Sequence, residues 1–451
     1  MPSKKVSCLT ATNLVVANMI GTGVFTSLGF QVASIRSDTA LIALWAIGGI
    51  VSLCGALCYA ELAATLRRSG GEYRFLASIY HPSIGMIAGW ISATVGFAAP
   101  IALAAMAFGS YLQAVVPGVP PVALSLLLVW IVTAVHLAGV RTGATFQNSS
   151  TLIKLVLILV LIIAGLLIWP GQPLHFSATP EDVRELLSGP FAVSLVYVMY
   201  AYSGWNAAAY ITEEVVEPEK NVPRALAVGT VIVTVIYLVL NYVFLHTTPK
   251  ATLAGQLQVG MLAGQAIFGP WGARIVSILI GFGLVATVGA MGWIGPRVTK
   301  AIADDLPRLQ WLQRSTRNGT PIAATLLQLA IVTALILSAT FETVLVYIQF
   351  TLLLSSFLTV LGLIVLRIRR PELPRPYRVW GYPITPLVFL AATLHMIVYT
   401  VREKPLESLC GTLTACFGLV VYFVCRAPGG KPDPVPLAGA EFRRDAKPDR
   451  T

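Results

Sequence analysis

Long apolar runs separated by short polar connections dominate the chain. A hydrocarbon core about 30 Å thick needs about 20 mostly apolar residues per helical crossing. On that measure the pattern predicts twelve spans, at about 9–32, 39–65, 84–115, 120–139, 147–169, 190–213, 223–246, 264–296, 320–339, 342–366, 382–401 and 406–425. Strands of a membrane barrel would alternate in polarity over ~10 residues, whereas these runs are apolar all round. The expected fold class is therefore an all-α integral membrane protein. A short N-terminus (1–8) precedes a membrane domain (9–426), and a tail rich in Pro, Gly and charge (427–451) is expected to be disordered. The polar yet aromatic segment 67–82 is expected to lie along the inner surface. Lys4 and Lys5 ahead of an apolar stretch resemble a signal peptide, but eleven further spans favour a retained first helix.

Composition supports this reading. Hydrophobic residues make up 56% of the chain and charged residues 11%, against roughly 25% charged in soluble domains. Too few ions remain to coat a soluble globule. Six cysteines in 451 residues exclude a disulfide scaffold, and Cys54, Cys58, Cys410, Cys416 and Cys425 lie in apolar runs. The net charge of +11 comes without a basic patch interleaved with aromatics, so no nucleic-acid partner is expected. The excess sits in loops: 24 Lys and Arg fall on the N-terminal side of the bundle and six on the other. That bias places both termini in the cytoplasm of a multi-pass cell-membrane protein. The one remaining basic residue, Lys154, falls inside a span.

Chemistry is expected where hydrophobic helices are interrupted. Span 1 carries Asn18-Met19-Ile20-Gly21-Thr22-Gly23-Val24-Phe25 at mid-depth. Each glycine weakens a helix by ~1 kcal/mol relative to Ala, and freed backbone groups are tolerated in a membrane only where they line a cavity. The same glycines would equally serve close helix packing, and span 1 alone does not separate the two. Span 6 repeats the pattern in Tyr200-Ala201-Tyr202-Ser203-Gly204-Trp205-Asn206. Paired interrupted helices point to an inverted-repeat transporter with a midplane site. Open helix ends present N–H groups to an anion and carbonyls to an ammonium, which suits a zwitterionic α-amino acid. Lys154 costs roughly 2.5–3.5 kcal/mol at mid-helix. Either it snorkels to the nearby loop, or its ammonium meets carbonyls freed by the span 1 break.

These stretches carry a resemblance. The chain resembles the amino acid–polyamine–organocation (APC) superfamily, and within it the L-type and cationic amino acid transporter branches. The match includes Ile20–Phe25, Gly55–Leu62, Ser69-Gly70-Gly71-Glu72-Tyr73, Gly139–Gly143, Gln147-Asn148, Thr151 and Lys154. It continues through Tyr200–Asn206, Glu213-Glu214, Pro218, Asn221, Pro223-Arg224-Ala225, Pro296-Arg297-Val298 and Arg375-Pro376-Tyr377-Arg378. The resemblance implies a LeuT-like fold: five plus five inverted repeats (about 9–169 and 190–368) and two C-terminal helices (about 382–425). It implies substrate contacts at Met19, Ile20, Gly21, Thr22, Gly23, Tyr200, Ala201, Ser203, Gly204, Trp205 and Asn206. In that analogy the N–H groups of Thr22 and Gly23 meet the carboxylate, and the carbonyls of Met19, Tyr200, Ala201 and Ser203 meet the amine. Tyr200 would be the gate, and Trp205 and Asn206 would sit beside the substrate side chain. Lys154 would stand in for a sodium ion, which implies sodium independence.

Some features depart from the family. Ala301–Pro307 replaces the usual inner-gate pattern, the connection Gln113–Pro121 lacks the cysteine that joins a heavy subunit, and span 3 has no carboxylate. No disulfide-linked heavy subunit is therefore expected, and a monomer or weak homodimer is. Glu61 reads as a helix-end contact, Glu213 and Glu214 as ion-paired to basic loop residues, and Pro100 as a kink. Tyr347 could face the pathway or pack within the bundle. Five scattered histidines show no metal spacing, so neither a metal nor another cofactor is expected. Small residues at Ala98, Ala99, Ala102, Gly281, Gly283, Ala286 and Gly289 suggest room for a medium or large side chain. With no acidic residue in the spans expected to line the pocket, a neutral substrate is favoured over a cationic one. The expected function is a sodium-independent, exchanging amino-acid transporter rather than an enzyme. Proton-coupled or uniport cationic transport remains the alternative, with a non-transporting sensor behind it.

Overall fold

The computed structural model describes residues 6–67, 69–139, 144–168, 171–176, 179–304, 307–316 and 319–425. Lys4, Lys5, Arg68, Val140–Gly143, Asp305, Leu306, Arg317 and the tail expected at 427–451 lie outside them. The described chain is helical, with isolated β-bridges at Val6–Val215 and Ser315–Pro321.

The first half begins with α1 (Cys8–Met19), α2 (Ser27–Ser34), α3 (Asp38–Leu66), α4 (Gly71–Ile79), α5 (Pro82–Ile91), α6 (Ala98–Gln113), α7 (Pro121–Leu137) and α8 (Ala144–Leu166). After α9 (Pro180–Leu186) come α10 (Gly189–Ala201), α11 (Pro218–Thr247), α12 (Lys250–Leu253), α13 (Val259–Asp304, bent at Gly269), α14 (Ile322–Ser338) and α15 (Phe341–Arg369). The hairpin α16 (Ile384–Glu403) and α17 (Pro405–Cys425) follows. Eight described helices or helix pairs are long and apolar enough to cross a membrane, and α1, α7, α10 and α14 are shorter apolar helices.

Local signals explain the starts. Ser7, Ser37, Ser188 and Thr340 cap α1, α3, α10 and α15 by accepting a backbone N–H, and α5, α7, α10 and α11 begin at a proline in the first turn. Pro100 cannot donate an N–H, and just ahead of it the helix widens into a π-turn over Ser92–Gly96. The helix is thus interrupted just ahead of Pro100.

The segment 67–82 folds into α4, which buries Glu72, Phe75, Leu76 and Ile79 on one face and packs against α5 and α15. The preceding turn makes this possible, with Gly70 and Gly71 at φ +114° and +55°. A Cβ on Gly71 would stand 2.3 Å from the Tyr210 ring, so a larger residue would push α4 away from the bundle.

The described ends of α1 and α17 lie on one face of the bundle, here the termini face. There Glu61 accepts Arg367 Nε at 2.8 Å and the Val379 N–H at 2.6 Å, with Arg375 at 3.7 Å, the helix-end role read from sequence. Glu213 and Glu214 form no ion pair among the described residues. Instead the Val6 N–H donates to Glu214 O at 2.8 Å and the Val216 N–H to Val6 O at 3.0 Å. The opposite face is bolted by Lys250–Asp38 (2.6 Å) and Lys404–Glu342 (2.7 Å). Tyr347 bonds Thr414 at 2.8 Å, so it packs toward α17.

Candidate functional site

Helix α1 stops at Met19 because its hydrogen-bond ladder stops. The Ile20 N–H still reaches Val16 O (3.0 Å), but the Gly21 N–H turns back to Met19 O (2.8 Å). Pairing resumes in a 3-10 turn, Gly23–Phe25, with Phe25 N–H to Thr22 O and Thr26 N–H to Gly23 O, both 3.2 Å. The N–H groups of Thr22 and Gly23 thus open that turn, where a helix has no internal acceptor to offer. The carbonyls released by the break are held by side chains from three other helices. Lys154 Nζ donates to Ile20 O at 2.9 Å, Tyr237 Oη lies 2.6 Å from Met19 O, and Tyr111 Oη donates to Phe25 O at 2.8 Å.

The second break follows Ala201. The Ser203 N–H bonds Tyr200 O at 3.0 Å, Gly204 turns at φ +99°, and the Ala207 N–H bonds Gly204 O at 3.0 Å before a 3-10 segment, Ala207–Glu214. The two breaks meet backbone to backbone. A Cβ on Gly23 would stand 2.5 Å from Ala201 Cα, and one on Gly204 would stand 2.9 Å from the Asn18 carbonyl carbon. Both readings of these glycines therefore hold: they mark interruption, and they permit close packing. The Tyr237 hydroxyl is also 3.1 Å from Ala201 O, so its single proton is shared between the breaks.

Between them lies a cavity of about 200 Å³, below the ~300–1,000 Å³ of drug-sized sites and suited to a small solute. Met19, Gly21, Thr22, Gly23, Tyr200, Ala201, Ser203, Gly204, Trp205 and Asn206 all line it. Ile20 does not: it is fully buried and its carbonyl is occupied by Lys154. The expected amine acceptors are also partly engaged, since Met19 O and Ala201 O face Tyr237 and Tyr200 O accepts from Ser203. The Trp205 ring packs edge-on against Tyr59 (4.8 Å between centroids) and Phe389 (6.1 Å), which anchors the second break to α3 and α16. Tyr200 reaches the Thr22 side chain across the two breaks.

Lys154 does not snorkel. It is 5% exposed, and its stem lies so close to Gly283 that a Cβ there would stand 2.9 Å from Lys154 Cδ. One side chain thus joins α8, the α1 break and α13. The small residues expected to make room do other work: Gly283 seats this lysine, and Ala98, Ala99 and Ala102 are buried in packing.

Sequence reasoning missed the rest of the wall. Gly96 and Pro100, Thr287 and Met291 of α13, Gln349, Leu352 and Ser356 of α15, Tyr210, and Glu72 of α4 belong to it, with Asn18 and Met199 beside the breaks. Pro100 thus also lines the cavity. Glu72 accepts from Tyr59 (2.6 Å), Ser356 (3.2 Å) and Ser355. Burial raises its carboxyl above the ordinary carboxylate range, although the three hydroxyls pull it down. The glycine pair before Glu72 was a visible signal of a fold-back, but its direction was not. An adjoining hollow lined by Ser69, Tyr73, Arg74 and Ile302 shares Gly96, Tyr210 and Leu352 with the cavity, so access leads toward the termini face. On the opposite side Phe30 stacks on Phe341 (6.0 Å) and meets Tyr197 (5.7 Å), whose hydroxyl donates to Glu342 at 2.6 Å.

An apolar helical bundle with two interrupted helices facing one small cavity defines a multi-pass membrane protein of the transporter class. The chain matches the family model described as amino acid permease over residues 6–423, and it belongs to that family, within the APC superfamily. It is a permease rather than an enzyme. It is 28% identical over 432 residues to the b(0,+)-type amino acid transporter 1 of Mus musculus, covering 93% of this chain and 88% of that one. It is also 28% identical over 434 residues to the large neutral amino acids transporter small subunit 2 of Homo sapiens, covering 93% and 80%.

Proposed function

We propose that the protein is a sodium-independent secondary transporter that exchanges α-amino acids across the cell membrane by alternating access. The supporting observation is the opposition of two helix breaks over one cavity, with the Thr22 and Gly23 N–H groups at an open turn. A carboxylate suits those donors, and an ammonium suits carbonyl oxygens around residues 200–203, which line the cavity. Lys154 on Ile20 O supplies a resident cation at the first break, which supports independence from sodium. In this reading twelve helices cross the bilayer, five plus five as inverted repeats with α16 and α17 added, and both termini are cytoplasmic. The cavity then faces inward. The relative named as a small subunit implies that it has a larger partner. Here residues 113–121 contain no cysteine, which supports a chain working without a disulfide-linked heavy subunit, as a monomer or weak homodimer.

The earlier preference for neutral substrates rested on a pocket without a carboxylate. Glu72 removes that reason. The test of transport is uptake of a labelled amino-acid panel by proteoliposomes containing the full chain, with and without internal amino acid. Faster uptake into loaded vesicles, unchanged when sodium is replaced by choline, is expected. Equal uptake into empty vesicles would remove exchange, and binding without flux would favour the sensor.

A further inference from the structure

The cavity is not chemically even. Its α1 and α10 side presents backbone, whereas its α4 and α15 side presents Glu72, Ser356 and Gln349. Gln349, Leu352 and Ser356 follow at helical spacing on one face of α15. Gln349 is 5% exposed, and its Oε1 has no hydrogen-bond partner among the described residues. Buried acceptors are nearly always paired in folded proteins, so an unpaired one in a cavity wall points to a donor that arrives with the solute.

Glu72 presents the same imbalance as a charge. Among the described residues the buried carboxylates Glu61 and Asp38 are ion-paired, to Arg367 and Lys250, and Asp182 takes the Thr179 backbone N–H in a capping box, while no ion pair involves Glu72. The groups facing it are Tyr59 from α3, Ser355 and Ser356 from α15, and Tyr210 beyond the second break, all hydroxyl-bearing. Three of them donate hydrogen bonds to its two oxygens, which together offer about four acceptor positions. A buried carboxylate needs a cation or a proton, and the wall supplies hydroxyls but no cation.

We propose that this wall is a side-chain subsite for amino acids bearing a cationic side chain, with Glu72 as counter-ion and Gln349 Oε1 as the second acceptor. This rests on the reading above, in which the breaks hold the α-amino and α-carboxylate groups. An ammonium or guanidinium supplies the missing charge and the missing donor together. A leucine-sized aliphatic side chain fits the volume but leaves both groups unpaired.

The test is counterflow of labelled lysine, arginine and leucine by reconstituted full-length protein at fixed pH. The wild type should accept lysine and arginine. Glu72→Gln should lower the lysine-to-leucine uptake ratio at least tenfold, and Gln349→Leu should lower it a few-fold. A wild type that moves leucine but is neither competed by nor transports lysine or arginine would overturn the subsite. So would a Glu72→Gln protein that loses the pH dependence of leucine uptake at an unchanged ratio, since Glu72 would then be a proton carrier. If Glu72→Gln fails to fold, Gln349→Leu decides by the same ratio: unchanged overturns, lowered supports. If the wild type moves nothing, the transport reading fails separately. Lysine-induced thermal stabilisation, lost in the Gln349→Leu protein, would still support the subsite, and its absence would overturn it.

Discussion

The two helix breaks look alike in sequence but are held by different physics. The first is held by polar side chains from elsewhere: Lys154, Tyr237 and Tyr111 each take one of its carbonyls. The second pairs more locally, through Ser203 to Tyr200 and Ala207 to Gly204 with one outside tie from Tyr237 to Ala201 O, and is fixed by aromatic packing of Tyr202 on Trp45 and of Trp205 on Tyr59 and Phe389. A buried donor or acceptor stripped of its partner costs about 1–3 kcal/mol, so the first break depends on a few single atoms. Ring packing in the second is spread over many weak contacts. The first break therefore rests on discrete polar ties, and the second is seated in a hydrophobic socket.

That contrast can be broken most severely where the breaks touch. Gly23→Ala places a methyl against the Ala201 backbone, which cannot swing aside. Overpacking of this kind costs typically 1–3 kcal/mol, and a loss of monodisperse protein in detergent chromatography is expected. Gly21→Ala meets only Met19 O at 4.0 Å and should fold normally. Equal folded yields for the two would contradict the backbone contact.

Lys154→Met keeps the stem that packs on Gly283 and removes the donor to Ile20 O. Losing about 1–3 kcal/mol at that carbonyl should cut the exchange rate at least tenfold while the protein still folds. Unaltered turnover in vesicles would reduce the lysine to a packing residue.

Tyr237→Phe deletes one hydroxyl that serves both breaks, at a cost of about 1–3 kcal/mol, eased at Met19 O by the Gly21 N–H. Its expected signature is a modest fall in thermal midpoint with a few-fold slower exchange. A change in midpoint with no change in rate would show that the shared proton does not couple the breaks.

The smallest effect is expected from pH. The Glu72 carboxyl is raised by burial, so on acidification it gains a proton at higher pH than an ordinary carboxylate does. Uptake of lysine should therefore decline with falling pH earlier than uptake of leucine, and Glu72→Gln should remove the difference. Parallel profiles for both substrates in the wild type would count against a charged Glu72.

The positions of the helices were legible because crossing a hydrocarbon layer demands about 20 apolar residues in a row, and that demand is met locally. The breaks were legible for the same reason: Gly21, Gly23 and Gly204 interrupt a period that apolar residues otherwise sustain. Lys154 advertised itself by charge. Ile20 was misassigned because sequence shows that a carbonyl is freed but not which side chain captures it. Trp205 lines the cavity as expected of a site residue, but its seating against Tyr59 and Phe389, far away along the chain, was not legible.

Glu72 marks the boundary of what the chain alone conveys. It sits in a polar connection that hydropathy assigns to the surface, and only the Gly70–Gly71 turn, the Tyr210 ring beneath it and the α15 serines bring it into the cavity wall. The sequence by itself determined a membrane-spanning helical protein with two weak points and a cation between them, because periodicity, glycine and charge act over a few neighbouring residues. Tertiary structure alone decided which carbonyls stay available, which rings pack, and that a carboxylate lines the cavity, because those outcomes depend on contacts between segments hundreds of residues apart.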